Sequence, residues 1–248
     1  MDRIVGCQQR KGADAARPLE TAKDNHIRIA RRIPMQKGRG AQRDPFGISL
    51  TPDQSQLVCS ASGTHELLVY RMNDIPLSEY GNLDHINPQL LRDRDRFYRI
   101  PLGGRPMGLR VAADNRTVFV ANYLDNSVQV VDLEKRELTR SIPLGGDAAP
   151  TLARRGEAIF YDAERSLDQW YSCHSCHYEG GTNVERMDTW NDGTPNTYKT
   201  VLSLHRLHET GPWTWHGWQK DLRDAMKSSL TGTMQGPEPK DEDVDALL

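Results

Sequence analysis

The 248 residues, 37% of them hydrophobic and with a formal net charge of −2, suffice for one large domain or two modest ones with ordinary apolar cores. A balance so close to neutral, with an isoelectric point near 6.4, leaves no electrostatic ground for nucleic acid or a membrane surface as partner. No apolar run approaches the roughly 20 residues of a membrane helix, and the first residues lack the apolar core and small-residue cleavage site of a secretory signal.

In chain order, basic residues crowd the stretch from Arg3 to Arg43 with few acids between them. Residues 1–44 therefore read as a poorly ordered basic leader. Cys7 lies in it. Cys59, in Leu57-Val58-Cys59, reads as a small buried hydrophobe; a Cys7–Cys59 disulfide is the other reading.

The next stretch repeats itself. Ile100-Pro101-Leu102-Gly103-Gly104 returns 42 residues later as Ile142-Pro143-Leu144-Gly145-Gly146, a spacing that suits propeller blades. Pro45-Phe46-Gly47-Ile48 and Thr51-Pro52-Asp53 match Pro106-Met107-Gly108-Leu109 and Ala112-Ala113-Asp114 at an offset of 61, so the first unit carries an insertion, 73–97. After each match come two β-branched runs separated by turn residues, Gln56–Ser60 with Leu67–Tyr70, and Thr117–Ala121 with Ser127–Asp132, which predict antiparallel hairpins. Phe119-Val120-Ala121-Asn122 with the following Val128-Gln129-Val130-Val131-Asp132 resembles the repeat family named for its Tyr-Val-Thr-Asn signature, whose members form β-propellers. About two blades fit into 45–147, whereas closed propellers have about 4 to 8.

At about residue 148 the character changes. Leu152–Tyr161 predicts a helix with Leu152, Ile159 and Phe160 on one face. Then comes Cys173-His174-Ser175-Cys176-His177, a C-x-x-C-H motif in which two thiols add to haem vinyl groups and the adjacent imidazole takes an axial iron position. A zinc site and a redox-active dithiol also use C-x-x-C. Zinc calls for a second paired-ligand motif, and a thioredoxin-like dithiol for a βαβ context; the sequence offers neither.

Arg155–Asp162, Ser172–His177, Leu202-Ser203-Leu204, Thr210–Gly217 and a helix leading to Met234 together resemble the c-type cytochrome domains of the di-haem cytochrome c peroxidase and methylamine-utilisation family. The resemblance runs from Arg154 to the end of the sequence. It implies that Gly156 and Phe160 pack the first helix of 148–248 against the last, Asp241–Leu248, which is short and reads as truncated. The fold class expected is two-domain and mixed, with antiparallel β (partial propeller blades) followed by an all-α cytochrome domain.

The sixth iron position sets the chemistry, since a Met thioether raises the potential, a second His lowers it and an open site admits peroxide. Met234, after an amphipathic helix over Lys220–Leu230, is the first candidate; Met187 and Met226 are weaker ones. His205, His208 and His216 read as structural imidazoles, His174 as solvent-facing, and Trp170, Trp190, Trp213, Trp215 and Trp218 as walls of the haem pocket.

The resemblance implies peroxide reduction by two haems and an acid/base carboxylate. This chain has one haem motif, and Thr233 stands before Met234 where the peroxidatic domains resemble a Glu-Met pair. The expectation is therefore one covalent haem c and an electron-transfer protein that meets another redox protein or a small electron donor or acceptor. The alternatives are a cytochrome c peroxidase-like oxidoreductase and a partner-binding propeller module with a structural haem. Thioether attachment places the protein in the periplasm or another extracytoplasmic space.

Overall fold

The computed structural model describes residues 44–73, 88–146, 150–190 and 192–248. The basic leader with Cys7, apart from Asp44, and most of the 73–97 insertion lie outside them.

The repeats become two four-stranded antiparallel meanders. The first is β1 (Pro45–Leu50), β2 (Gln56–Ala61), β3 (Glu66–Arg71) and β4 (Phe97–Pro101); the second is β5 (Pro106–Val111), β6 (Thr117–Asn122), β7 (Ser127–Asp132) and β8 (Glu137–Pro143). The matched segments occupy the same places in each sheet. Pro45–Ile48 and Pro106–Leu109 open the first strands, and both break register there. The paired Asp residues close the first turns: Asp53 accepts from Thr51 Oγ1 and the Ser55 amide, Asp114 from the Arg116 and Thr117 amides. Short carboxylates that bond backbone two or three residues on favour such turns.

Alternation along the strands builds the core. Val58, Val69, Ile100, Val118, Val120 and Val131 belong to the cluster between the sheets. Cys59, at 4% exposure, Leu68 and Phe97 share a second cluster with Leu90 of the short helix α1 (Pro88–Arg92), so Cys59 is the small buried hydrophobe expected. α1 lies within the 73–97 insertion and includes Gln89, Leu90 and Leu91.

Beyond residue 150 stand α2 (Leu152–Phe160), the single turn α3 (Cys173–Cys176), α4 (Leu222–Ser228) and α5 (Asp241–Leu247). Between α3 and α4 runs a two-residue antiparallel ladder, β9 (Arg186–Met187) with β10 (Lys199–Thr200). The fold is thus mixed, with several antiparallel sheets and short helices. As two blades cannot span the circle, the sheets do not close into a propeller. One point departs from expectation: the second half is not a separate all-α body, since it contains a strand pair and long irregular segments and packs on one end of the sheets.

α2 and α5 pack as the Gly156 resemblance implied. A Cβ at Gly156 would lie 1.8 Å from the Ala246 carbonyl oxygen, so the two backbones touch there. The buried face of α2 is Gly156 and Ile159; Leu152 is left 55% exposed, against expectation.

The end of the sheets that meets the helices is polar. The Ala163 amide donates to the Gly63 carbonyl (2.9 Å), His65 Nε2 bonds Asp162 Oδ1 (3.2 Å), and Arg154 donates to the Tyr123 carbonyl. Arg105, 7% exposed, stacks its guanidinium 3.3 Å from the centre of the Tyr161 ring and faces Glu179.

Candidate functional site

α3 is only four residues long, below what helical propensity can sustain alone, so its caps decide whether it forms. Ser172 is the N-cap: its hydroxyl accepts from the Ser175 amide, and Ser175 Oγ accepts in turn from the Ser172 amide, a reciprocal capping box. The C-x-x-C-H motif thereby becomes one pinned turn, with the His177 amide closing it on the Cys173 carbonyl at 2.8 Å.

The two thiols each meet a methionine sulfur. Cys173 Sγ lies 3.9 Å from Met234 Sδ, and Cys176 Sγ lies 3.4 Å from Met187 Sδ. Both methionines are buried. Met234 directly follows a π-turn, Ser229–Thr233, that continues α4; such widened turns recur at functional sites. Its carbonyl accepts from the Leu167 amide (2.9 Å), the Thr233 carbonyl accepts from the Tyr171 hydroxyl, and a Cβ at Gly236 would strike the Arg165 carbonyl oxygen at 2.1 Å. The segment bearing Met234 is gripped on both sides. Met226 is half-buried within α4.

His177 Nδ1 lies 2.9 Å from the Leu202 carbonyl oxygen. A carbonyl only accepts, so Nδ1 carries the proton and Nε2 keeps its lone pair. Burial holds the imidazole below its usual pKa, outweighing the opposing pull of the Leu202 and Gly181 backbone bonds, and so keeps it neutral. A neutral imidazole with Nδ1 committed to a carbonyl is the state a metal-ligating histidine needs. By contrast, burial pushes the Cys173 thiol up to about 11. A redox-active dithiol depends on a lowered thiol pKa, so this environment disfavours that chemistry. Among the described residues, no three His, Cys, Asp or Glu side chains converge as a closed zinc site needs. The donor set fits two thioether bonds and one axial imidazole better than either alternative.

The remaining histidines and tryptophans are placed as follows. His205 Nε2 is 3.4 Å from the Glu179 carbonyl, His208 pairs with Glu209, and His216 packs on Trp218; all three are exposed. Trp170, Trp215 and Trp218 are 39%, 53% and 41% exposed. Trp213 and Trp215 are held by their indole N–H groups, on the Leu207 and Thr200 carbonyls, which fixes the rings without burying them.

His174 corrects its solvent-facing reading. It is 8% exposed, with Tyr161 and Tyr178 ring centres at 4.8 and 5.0 Å and Nε2 donating to Glu179 Oε1 at 3.2 Å. The second residue of the turn points away from the thiols, and that is the side on which the strand segment packs. Asp44, assigned by sequence to the leader, is also part of the site. Its carboxylate accepts from Ser172 Oγ (2.7 Å) and Ser175 Oγ (3.0 Å). No motif marks Asp44, because its partners lie more than 120 residues away.

No family model matches the chain. It is 25% identical over 105 residues to hydrazine synthase subunit beta of Kuenenia stuttgartiensis, a match covering 40% of this chain and 27% of that protein. The chain thus spans about a quarter of the length of that curated relative. Among solved structures, the Kuenenia stuttgartiensis hydrazine synthase aligns at 22% identity over 43% of this chain and 25% of its own, with a TM-score of 0.31. The periplasmic gluconolactonase of Pseudomonas aeruginosa aligns at 16% identity over 46% of this chain and 32% of its own, also at 0.31. These likenesses are remote.

Proposed function

We propose that the chain is a c-type haem electron-transfer protein in which Cys173 and Cys176 hold one haem by thioether bonds, His177 gives the proximal iron ligand and Met234 the distal one. The observation that carries this reading is the pinned C-x-x-C-H turn with His177 Nδ1 committed to the Leu202 carbonyl. When bound, the haem supplies a one-electron iron couple. The chain's own residues do the rest. The capping box holds the two thiols at the spacing the motif sets, and the Leu202 carbonyl orients the imidazole and raises its basicity. Met234 offers a soft sulfur that favours the reduced state.

In this reading residues 45–147 are a propeller-derived scaffold, 148–248 bear the haem, and 1–44 are a leader. Covalent attachment puts the protein in the periplasm, where another redox protein or a small donor exchanges the electron. Thr233 offers no carboxylate for proton transfer to peroxide, which favours electron transfer over peroxidase chemistry.

The test is expression of the full chain behind an export signal in cells that mature c-type haem, followed by pyridine haemochrome and ferric spectra. The expected result is one covalent haem per chain and a low-spin spectrum with the sulfur-to-iron band of Met ligation, lost in Met234→Ala. Absence of covalent haem would overturn the reading. A high-spin ferric haem that reacts with hydrogen peroxide would return it to the peroxidase class, and a band lost in Met187→Ala instead would move the distal ligand there.

A further inference from the structure

The haem-bearing turn is fastened to the strand segment by a carboxylate that the electron-transfer reading leaves unused. Asp44 immediately precedes β1, and its side chain is 13% exposed. Its two oxygens divide between Ser172 Oγ and Ser175 Oγ, the two hydroxyls that cap α3. Each serine stands directly before one of the motif cysteines. His174 lies between them, its Nδ1 buried, without a hydrogen-bond partner and 3.9 Å from Asp44 Oδ1.

Around this group stand Glu179, which accepts from His174 and faces Arg105, and Tyr161, whose hydroxyl donates to Glu179 at 3.3 Å. Burial pushes the Asp44 carboxyl up, but His174, Ser172 and Ser175 outweigh burial and hold it below the usual carboxylate range. A negative charge is therefore fixed beside the backbone that would carry both thioethers. A charge in a low-dielectric setting acts over longer range than one in water.

We propose that Asp44 is a positioning residue for the haem-bearing turn and that its fixed negative charge lowers the reduction potential of the iron held there. The proposal rests on the haem reading. It makes the strand segment part of the redox site: the charge comes from one half of the chain and the iron ligands from the other. Ferric haem carries one more positive charge than ferrous, so a nearby carboxylate favours the ferric form.

The experiment compares the matured full-length protein with Asp44→Asn, which removes the charge, keeps the shape and retains one accepting oxygen, and Asp44→Glu, which keeps the charge. Covalent haem is measured by pyridine haemochrome and the midpoint potential by spectroelectrochemistry. Asp44→Asn is expected to retain covalent haem and to shift the ferric/ferrous equilibrium about tenfold towards ferrous, a rise of about 59 mV. Asp44→Glu is expected to stay near the starting potential. Should the Asn variant not fold, Asp44→Ser, also neutral and smaller, gives the same reading. An unmoved potential in a neutral variant that still attaches haem overturns the proposal and leaves the haem reading standing. A parent chain that attaches no haem overturns both.

Discussion

A carbonyl oxygen accepts and never donates, so Leu202 decides which nitrogen of His177 is protonated and which is available to a metal. His177→Ala should therefore keep thioether-bound haem but convert the spectrum to that of a weakly ligated iron. Cys173→Ala and Cys176→Ala should each leave a single thioether, read as a red-shifted pyridine haemochrome band; unchanged spectra in all three would rule out the motif as the haem site. A second residue-scale test concerns pH. Burial pulls the His65 pKa down, but the bond and charge of Asp162, with Glu164 nearby, more than offset it, so the folded pKa lies above 6.5. Its stabilisation is then complete below about pH 6.5 and lost as pH rises through the folded pKa. His65→Gln should cost more stability at about pH 5.5 than at about pH 8.5 in chemical denaturation, and a difference independent of pH would count against the His65–Asp162 bond. At this scale the motif was legible because its five residues are consecutive in the sequence. The burial of His174 was not, because it depends on what packs over the turn.

For the elements, local pattern carried much of the outcome. The Ser127–Asp132 run coincides with β7, the other three β-branched runs fall within β2, β3 and β6, and the repeated tetrapeptides open β1 and β5 with the same break in register. Alternation and turn chemistry are nearest-neighbour properties, so sequence displays them directly. Helix packing is less visible. Gly156 was singled out through a family resemblance, and the reason it must be glycine is a backbone contact with Ala246 far along the chain. Gly156→Ala should force α2 and α5 apart at a cost of about 1–3 kcal/mol, the usual range for overpacking. Thermal or urea unfolding checks this, and an undiminished midpoint would mean that α5 does not pack there. The π-turn before Met234 has no sequence signature; it follows from the grip of Tyr171, Leu167 and the Arg165 backbone on that segment.

Across the whole molecule, the two halves meet through polar groups. Arg105 is buried between a strand-connecting loop and the Tyr161 ring, where a desolvated guanidinium on an aromatic face contributes about 2 kcal/mol. Arg105→Ala should loosen the junction, so that unfolding followed by Trp fluorescence, which reports only the second half, no longer coincides with unfolding followed by strand circular dichroism. Coincident transitions in the variant would show that the halves are held together elsewhere.

The sequence by itself determined the strands, the repeat, the first helix and the C-x-x-C-H motif, because each is written within a few dozen consecutive residues. Only the tertiary structure decided that Asp44 bonds the two serines that cap the motif turn, that His174 turns inward, that two methionine sulfurs flank the thiols and that the helices share a junction with the sheets. Those outcomes depend on pairs far apart in the chain, whose meeting is set by packing of the whole molecule and leaves no local pattern.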